Sequence, residues 1–465
     1  MDVAASAPET TCSRCRELDA RLRTLEARNL ALETKLRDLE DQLRPPNPKP
    51  HQPRPPAPAK KPTGKKRGAQ PGHPPHLKQW LPQDRVSHVV TYVPEQCEKC
   101  DRPLVTCPND PSPTIHQVAE LPKIRAEVTE HRGHSRTCPC GHITRATIPA
   151  TVRAHTLGPE LTASLVYFSG VHGMSKRGIE ETVETLFGVP IALGTISNME
   201  QAVSAALESE YQKVREHVAA AEVKHVDETG WKEAGKKRWL WAAATHFCAL
   251  FRIHPRRNRD ALQLLLGKLS GIVISDRWCV YDHWDYDSRQ LCWAHVGRNW
   301  EAWMERGGEA KELGDRWLAI QSQVFALWHL YRGGGCTRTE LSDRMVPHVE
   351  ALGAVLDAGM DSRDSVLSRR CERLRARFPL MWLFVSVAGV EPTNNHGERV
   401  PRRAVLWRRK SFGCASASGC RFVERMLTAV ETLKLQKRNV LAFLGQTIAA
   451  SREGRPGPSL CPATG

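Results

Sequence analysis

Leu18, Leu25, Leu32 and Leu39 recur every seven residues near the start of the chain, and Leu22, Asn29, Leu36 and Leu43 form a second series displaced by four. Two such series make a heptad seam, with the first at d and the second at a. Arg21, Arg28 and Lys35 at g face Glu26, Glu33 and Glu40 at the following e position of a partner, and the opposite signs favour a parallel homodimer. Asn29 at an a position fixes register at some cost in stability. The alternative is an amphipathic helix lying on its own domain.

Further along, Ser175 is a natural N-cap for a helix that breaks at Gly188-Val189-Pro190, and a second helix starts near Gly194-Thr195. The pair is either a helix-turn-helix whose second helix presents Thr195, Ser197 and Asn198 to DNA, or two packed core helices. From 222 the period changes. "EVKHVDE" reads as a strand, "KRWLWAAATHFCALFRIHP" as two strands with a tight connection, "NRDALQLLLGKL" as a helix, and "GIVISDRW" as a buried strand ending at Asp276. That order is the front of a ribonuclease-H-like sheet, in which the first and fourth strands lie side by side and their ends bring Asp227 and Asp276 together. Glu228 alternates to the other face.

Between the seam and the first strands, residues 44 to 78 hold twelve prolines and nine Lys or Arg, with no acid between Asp41 and Asp84. Such a segment reads as an extended basic arm, whose Lys60, Lys61, Lys65, Lys66 and Arg67 neutralise phosphates, or as a solvated spacer. The whole chain of 465 residues carries 67 Lys+Arg against 51 Asp+Glu, a net +16, so a polyanion is the natural partner. A membrane is not, because the longest apolar run near the C-terminus, "MWLFVSVAGV", is half the ~20 residues a span needs. The fifteen cysteines are irregularly spaced, and no secretory signal opens the chain, which points to a reducing, cytoplasmic setting with thiols left for metal.

Two cysteine pairs fit that role. Cys97-x2-Cys100 and Cys138-Pro-Cys140, with strand-like runs such as "IRAEVTEH" between them, have the spacing of a zinc ribbon holding Zn²⁺ in a tetrahedron. His142 is an alternative fourth ligand, and Cys12-x2-Cys15 has no second pair beside it. A third acid joins the two aspartates in "EPTNNHGERVPRRAVLWRRKSFG", where Glu398 precedes twelve residues with six Arg or Lys and no acid. Arg402, Arg408, Arg409 and Lys410 there are candidate phosphate ligands. Three carboxylates in one poorly solvated cleft repel one another, and divalent cations relieve the repulsion. Two Mg²⁺ or Mn²⁺ ions ~3.5 to 4 Å apart serve in-line phosphoryl transfer.

"HVDETGW", "SDRWCVYDHW", "LCWAHVGRNW", "EPTNNHGER", "SFG" and "RFVERMLT" together resemble the insertion-sequence transposases of the IS66 type, which are DDE enzymes, and "KKRGAQPGH" with the cysteine pairs resembles that family's N-terminal part. The resemblance runs over about 62 to 445. It implies a DNA transposase whose acidic triad is Asp227, Asp276 and Glu398, acting on the inverted ends of its element and on target DNA. It also implies a helical insertion at about 296–388 and a Cys-x2-His element at Cys292 and His295. Two ligands do not make a second zinc site, so His295 either contacts DNA or packs. Gly397 and Pro401 flank Glu398 and weaken a helix, which predicts a loosely held glutamate.

The expected fold is thus a multidomain α+β chain. Its parts are a coiled coil at 1–44, a basic arm at 45–84, a zinc ribbon at 85–150, a helical region at 151–218, a catalytic core at 219–445 and a tail at 446–465. The alternatives to a transposase are a degenerate, transposase-derived DNA-binding protein and a nuclease of the same fold.

Overall fold

The computed structural model describes residues 80–105, 107, 110–267, 270–284 and 286–461. The heptad seam and the basic arm, with Lys60, Lys61, Lys65, Lys66 and Arg67, lie outside them. The chain divides into two compact units, one ending at Ala119 and the other beginning at Glu120.

In the first unit the Cys97 N–H donates to Arg102 O (2.9 Å), and the Asp101 N–H donates to Cys97 O (2.9 Å). Asp101 takes φ 55°, so the chain folds back tightly around the first cysteine pair. In the second unit Cys138 and Cys140 sit in the turn between β1 (Ser135–Thr137) and β2 (Ile143–Arg145), an antiparallel pair. The turn closes through Cys138 N–H to His142 O (2.8 Å), with Gly141 at φ 87°. The strand expected over 124–131 does not form. A strand needs a ladder partner; here the Ala126 N–H instead donates to Phe187 O, at the end of a helix. No described residue before Thr162 is buried, so this stretch has no apolar core of its own.

Four helices follow: α1 (Pro159–Gly170), α2 (Lys176–Phe187), α3 (Leu193–Ala206) and α4 (Glu208–Ala220). Ser175 caps α2 by accepting the Gly178 N–H (3.1 Å), and Gly188 at φ 68° ends it. Then come β3 (Val223–Glu233), β4 (Lys236–Ala244), β5 (Ala249–His254), α5 (Arg259–Leu266), β6 (Ile272–Ser275) and β7 (Arg289–Leu291). The sheet order is β5-β4-β3-β6-β7. β4 is antiparallel to both β3 and β5, whereas β6 and β7 run parallel to β3.

The first strand is longer than the sequence pattern implies. β3 continues past Asp227 to Glu233 because it forms a hairpin with β4 through Ala234 and Gly235, both at positive φ (48° and 77°), the geometry of the tight primed turns. Asp227 is therefore mid-strand, opposite Ala242, and not at a strand end. On the other side, β6 pairs only with Val223–His225, in the register His225↔Ile274. Carried forward two residues, that register brings Asp227 level with Asp276, the first residue past β6.

Alternation decides which face each acid meets. Val226 packs with Trp241, Leu250 and Val273 against α4 and α5. Trp231 packs with Ala242 and Phe251 against Val400, Ala404, Val423 and Leu427. Asp227 shares the second face and Glu228 the first.

After β7, helices α6 (Trp293–Met304), α7 (Gly308–Arg332), α8 (Arg338–Met360) and α9 (Ser365–Arg375) build a separate core around the fully buried Trp293, Trp300 and Trp317. The chain returns to the sheet through α10 (Asn395–Arg399), α11 (Arg402–Ser411), α12 (Ala417–Leu435) and α13 (Val440–Arg452). The boundary expected at 445 falls inside α13. What was expected as a tail is packed too, since Leu460 is buried and its N–H donates to Glu210 Oε2 (2.8 Å).

α12 finishes the sheet in an unusual way. The outward N–H groups of edge strand β5 donate to its side chains: Ala249 to Thr432 Oγ1 (3.0 Å), Phe251 to Thr428 Oγ1 (3.1 Å) and Ile253 to Glu424 Oε1 (2.7 Å). Four helical residues rise ~6 Å and two strand residues ~6.7 Å, so one helix face matches every second strand N–H. Thr428→Val should strand the buried Phe251 N–H and cost about 1–3 kcal/mol, read from the urea midpoint.

Candidate active site

The strand register places Asp227 and Asp276 together, and α10 brings Glu398 to the same face of the sheet. The segment that carries Glu398 is pinned by Asn394, which is only 1% exposed. Asn394 Oδ1 accepts from His225 Nδ1 (2.9 Å), its Nδ2 donates to Val226 O (2.8 Å), and its N–H donates to Cys292 Sγ (3.1 Å). Beside it, His396 Nε2 donates to Thr245 O (2.8 Å), and its ring meets that of His225 edge to face at 5.1 Å. Gly397 is what permits this. A methyl group at 397 would overlap the Asn394 amide, with Cγ only 2.9 Å away. The expectation of a loosely held glutamate is thus corrected. α10 is short, but its capping residue Asn394 is bonded to β3 and its His396 to Thr245 just past β4, and Pro401 lies beyond its end.

The acids differ sharply in their partners. Glu228, on the opposite face, accepts from Arg257 Nε (2.8 Å) and from the Tyr281 hydroxyl (2.6 Å), and Arg257 in turn stacks 3.8 Å over the Trp278 ring. Asp227 and Asp276 have no ion pair among the described residues. Asp276 Oδ1 accepts the Trp278 N–H (2.9 Å). Burial, followed by the charges of Glu228, Asp276 and Glu398, pushes the Asp227 carboxyl up to about 8. His225 is held down to about 4, mainly by burial and then by His396, so it is neutral.

Glu398 looks in a second direction as well. Its Oε1 lies 3.2 Å from His295 Nδ1, 3.4 Å from Arg298 Nη2 and 3.9 Å from Cys292 Sγ. Cys292 extends the ladder from β7, donating its N–H to Ser275 O (2.9 Å), and stands just before α6. Cys292, His295 and Glu398 offer ligand atoms within 4.8 Å of one another.

The candidate DNA-contacting residues separate into two kinds. Arg408 is spent on β3, donating to Thr229 Oγ1 (3.2 Å) and to Gly230 O, and Lys410 donates to His172 O (2.9 Å). Arg402 and Arg409 are exposed and make no ion pair among the described residues. In α3, the Ser197 hydroxyl accepts from Lys176 Nζ (2.6 Å). Thr195 and Asn198 line a cavity of about 540 Å³ with His155, Met199 and Arg452.

The family model described as Transposase IS66 family matches residues 155–421, more than half of the chain. The chain belongs to that family. None of the curated proteins compared matches it. Membership gives this IS66-family chain a transposase role. The matched span holds all three acids, Asn394 and the Cys292–His295 element, whereas both cysteine pairs precede it. No helix among the described residues of this transposase is long and apolar enough to cross a membrane.

Sequence reasoning missed the residues that hold the acids in place. Asn394 stands in the "EPTNNHGER" motif, but nothing local announces that its amide reaches His225 and Val226 on another strand.

Proposed function

We propose that this transposase cleaves DNA at the ends of its element and joins them to target DNA by phosphoryl transfer, at Asp227, Asp276 and Glu398 of a ribonuclease-H-like core. The observation that carries this reading is geometric: the His225↔Ile274 register brings Asp227 level with Asp276, and Asn394, bonded to His225 and Val226, ties the Glu398 segment to the same strand. Burial first, then the charges of Glu228, Asp276 and Glu398, push the Asp227 carboxyl up to about 8. Among the described residues neither aspartate has a cationic side chain paired with it, whereas the neighbouring Glu228 has Arg257. An all-oxygen, acidic set fits hard divalent cations, Mg²⁺ or Mn²⁺. Bound there, such ions supply Lewis-acid stabilisation of the attacking and leaving oxygens.

The protein's own residues then have distinct tasks. Asp227 within β3 and Asp276 just past the end of β6 hold their carboxylates level, and Asn394 fixes the height of Glu398 above them. Glu228, neutralised by Arg257 and Tyr281, stiffens β3 from behind. Arg402 and Arg409 are free to grip phosphates, with the basic arm and a net charge of +16 adding salt-sensitive affinity. Thr195, Ser197 and Asn198 remain the candidate DNA-facing positions of α3. By their spacing in the sequence, Cys97, Cys100, Cys138 and Cys140 are the candidate ligands of a structural Zn²⁺. Hydrogen bonds within each knuckle lower the Cys97 and Cys140 thiols, which suits metal-binding thiolates. The heptad leucines make the homodimer that pairs two DNA ends.

The test uses the full chain and a duplex carrying the inverted repeats that border the coding region. Nicking is expected only with Mg²⁺ or Mn²⁺, to stop with EDTA, and to be followed by joining of a pre-cut end. Tight binding without metal-dependent cleavage would leave a DNA-binding protein, and cleavage without joining a nuclease.

A further inference from the structure

We propose that Cys292, His295 and Glu398 form a second metal site, one for a borderline transition ion of the zinc class, at the junction of the sheet and the helical insertion. The sequence offers only the Cys-x2-His pair. The fold supplies the third ligand from far along the chain.

The three ligand atoms lie within 4.8 Å of one another, close enough to share one ion after small side-chain adjustments. A tetrahedral zinc with Zn–S of ~2.3 Å and Zn–N or Zn–O of ~2.0–2.2 Å sets its ligand atoms roughly 3.4–3.6 Å apart. Glu398 Oε1 lies 3.2 Å from His295 Nδ1 and 3.9 Å from Cys292 Sγ. His295 Nδ1 is shielded from solvent and makes no hydrogen bond, despite its closeness to Glu398. Its nearest polar neighbour is Glu398 Oε1, and a cation placed among the three atoms would take the Nδ1 lone pair.

The donors are also suited chemically. Cys292 Sγ accepts the Asn394 N–H (3.1 Å), a bond that holds the sulfur beside Glu398. A thiolate and an imidazole select a softer ion than the all-oxygen aspartate pair does, so the two sites would sort their metals by chemistry. Every contact of Glu398 in this direction uses Oε1. Its Oε2 has no hydrogen bond or ion pair among the described residues and stays available to the acid cluster. Three protein ligands leave a fourth position open for water or a phosphate oxygen.

The inference shares Glu398 with the proposed catalytic reading, but its test does not depend on DNA cleavage. In the full chain, Cys12, Cys15, Cys97, Cys100, Cys138 and Cys140 are replaced by serine, and the protein is loaded with Zn²⁺ or Co²⁺ and dialysed. One ion per chain should remain, and the Co²⁺ form should show thiolate charge-transfer and four-coordinate d–d bands. Cys292→Ser and His295→Gln should each lose that ion, with folding checked by circular dichroism; His295 is partly exposed, so its variant covers the case in which Cys292→Ser misfolds. The otherwise natural chain should likewise lose one zinc with either substitution. Asp227→Asn should keep the ion, which separates this result from any failure of catalysis. Absence of a retained ion, or equal retention in both variants, overturns the proposal.

Discussion

Asp227→Asn should lower metal-dependent nicking by on the order of 10²–10³-fold while making the metal-free protein more stable at pH 8. The two effects share one cause. Burial and three neighbouring acids raise the folded-state carboxyl to about 8, well above its ordinary 3.8. A carboxyl raised in this way contributes stability that is fully present below its unfolded value and is lost as pH rises through the folded one. Between pH 6.5 and 8 without metal, the wild type should therefore lose about 1–2 kcal/mol relative to the variant. His225, held down to about 4, adds nothing in that window. Glu424, raised to about 7, and Lys224, lowered to about 8, titrate in both proteins and cancel in the difference. Urea melts of both proteins at the two pH values, in a chelator and then in Mg²⁺, provide the measurement. Mg²⁺ should restore the wild type and leave the variant unmoved. A variant that still nicks, or a wild type no less stable at the higher pH, would remove the case for a crowded acid site.

Gly397→Ala should act in the direction opposite to helix propensity. In a free helix the change is worth about 1 kcal/mol of stabilisation. Here the new methyl meets the Asn394 amide, which is fixed by His225, Val226 and Cys292. Either Asn394 gives up its bonds, at about 1–3 kcal/mol for each buried group left unpaired, or α10 moves away from the sheet. Displacing Glu398 by ~1 Å costs on the order of a hundredfold in rate. A lower denaturation midpoint with nicking reduced to that extent is expected, and an alanine variant as stable and active as the wild type would show that Asn394 does not position Glu398.

How much the sequence reveals depends on whether the signal is local. Alternation along "EVKHVDE" and the apolar run of "GIVISDRW" are local, and they locate β3, β6 and the two aspartates. Ser175 and Gly188 act within their own helix and are equally readable. Gly397 looks like a flaw beside Glu398 because the reason for it, the Asn394 side chain, folds back across the turn. Cys292 and His295 look like an incomplete pair because their third neighbour arrives from α10. The run at 124–131 has strand composition but no ladder partner, and composition alone does not provide one. The continuation of β3 beyond Asp227 is hard to read because its turn puts Ala234 at a positive φ usually left to glycine or asparagine.

The way α12 closes the sheet bears on the order in which the protein is made. Both aspartates leave the ribosome long before Thr428, Thr432 and Glu424, so a nascent chain holds two of its three clustered acids beside a strand whose outward amides are still bare. Until α12 emerges and docks, that exposed rim can recruit a stray strand.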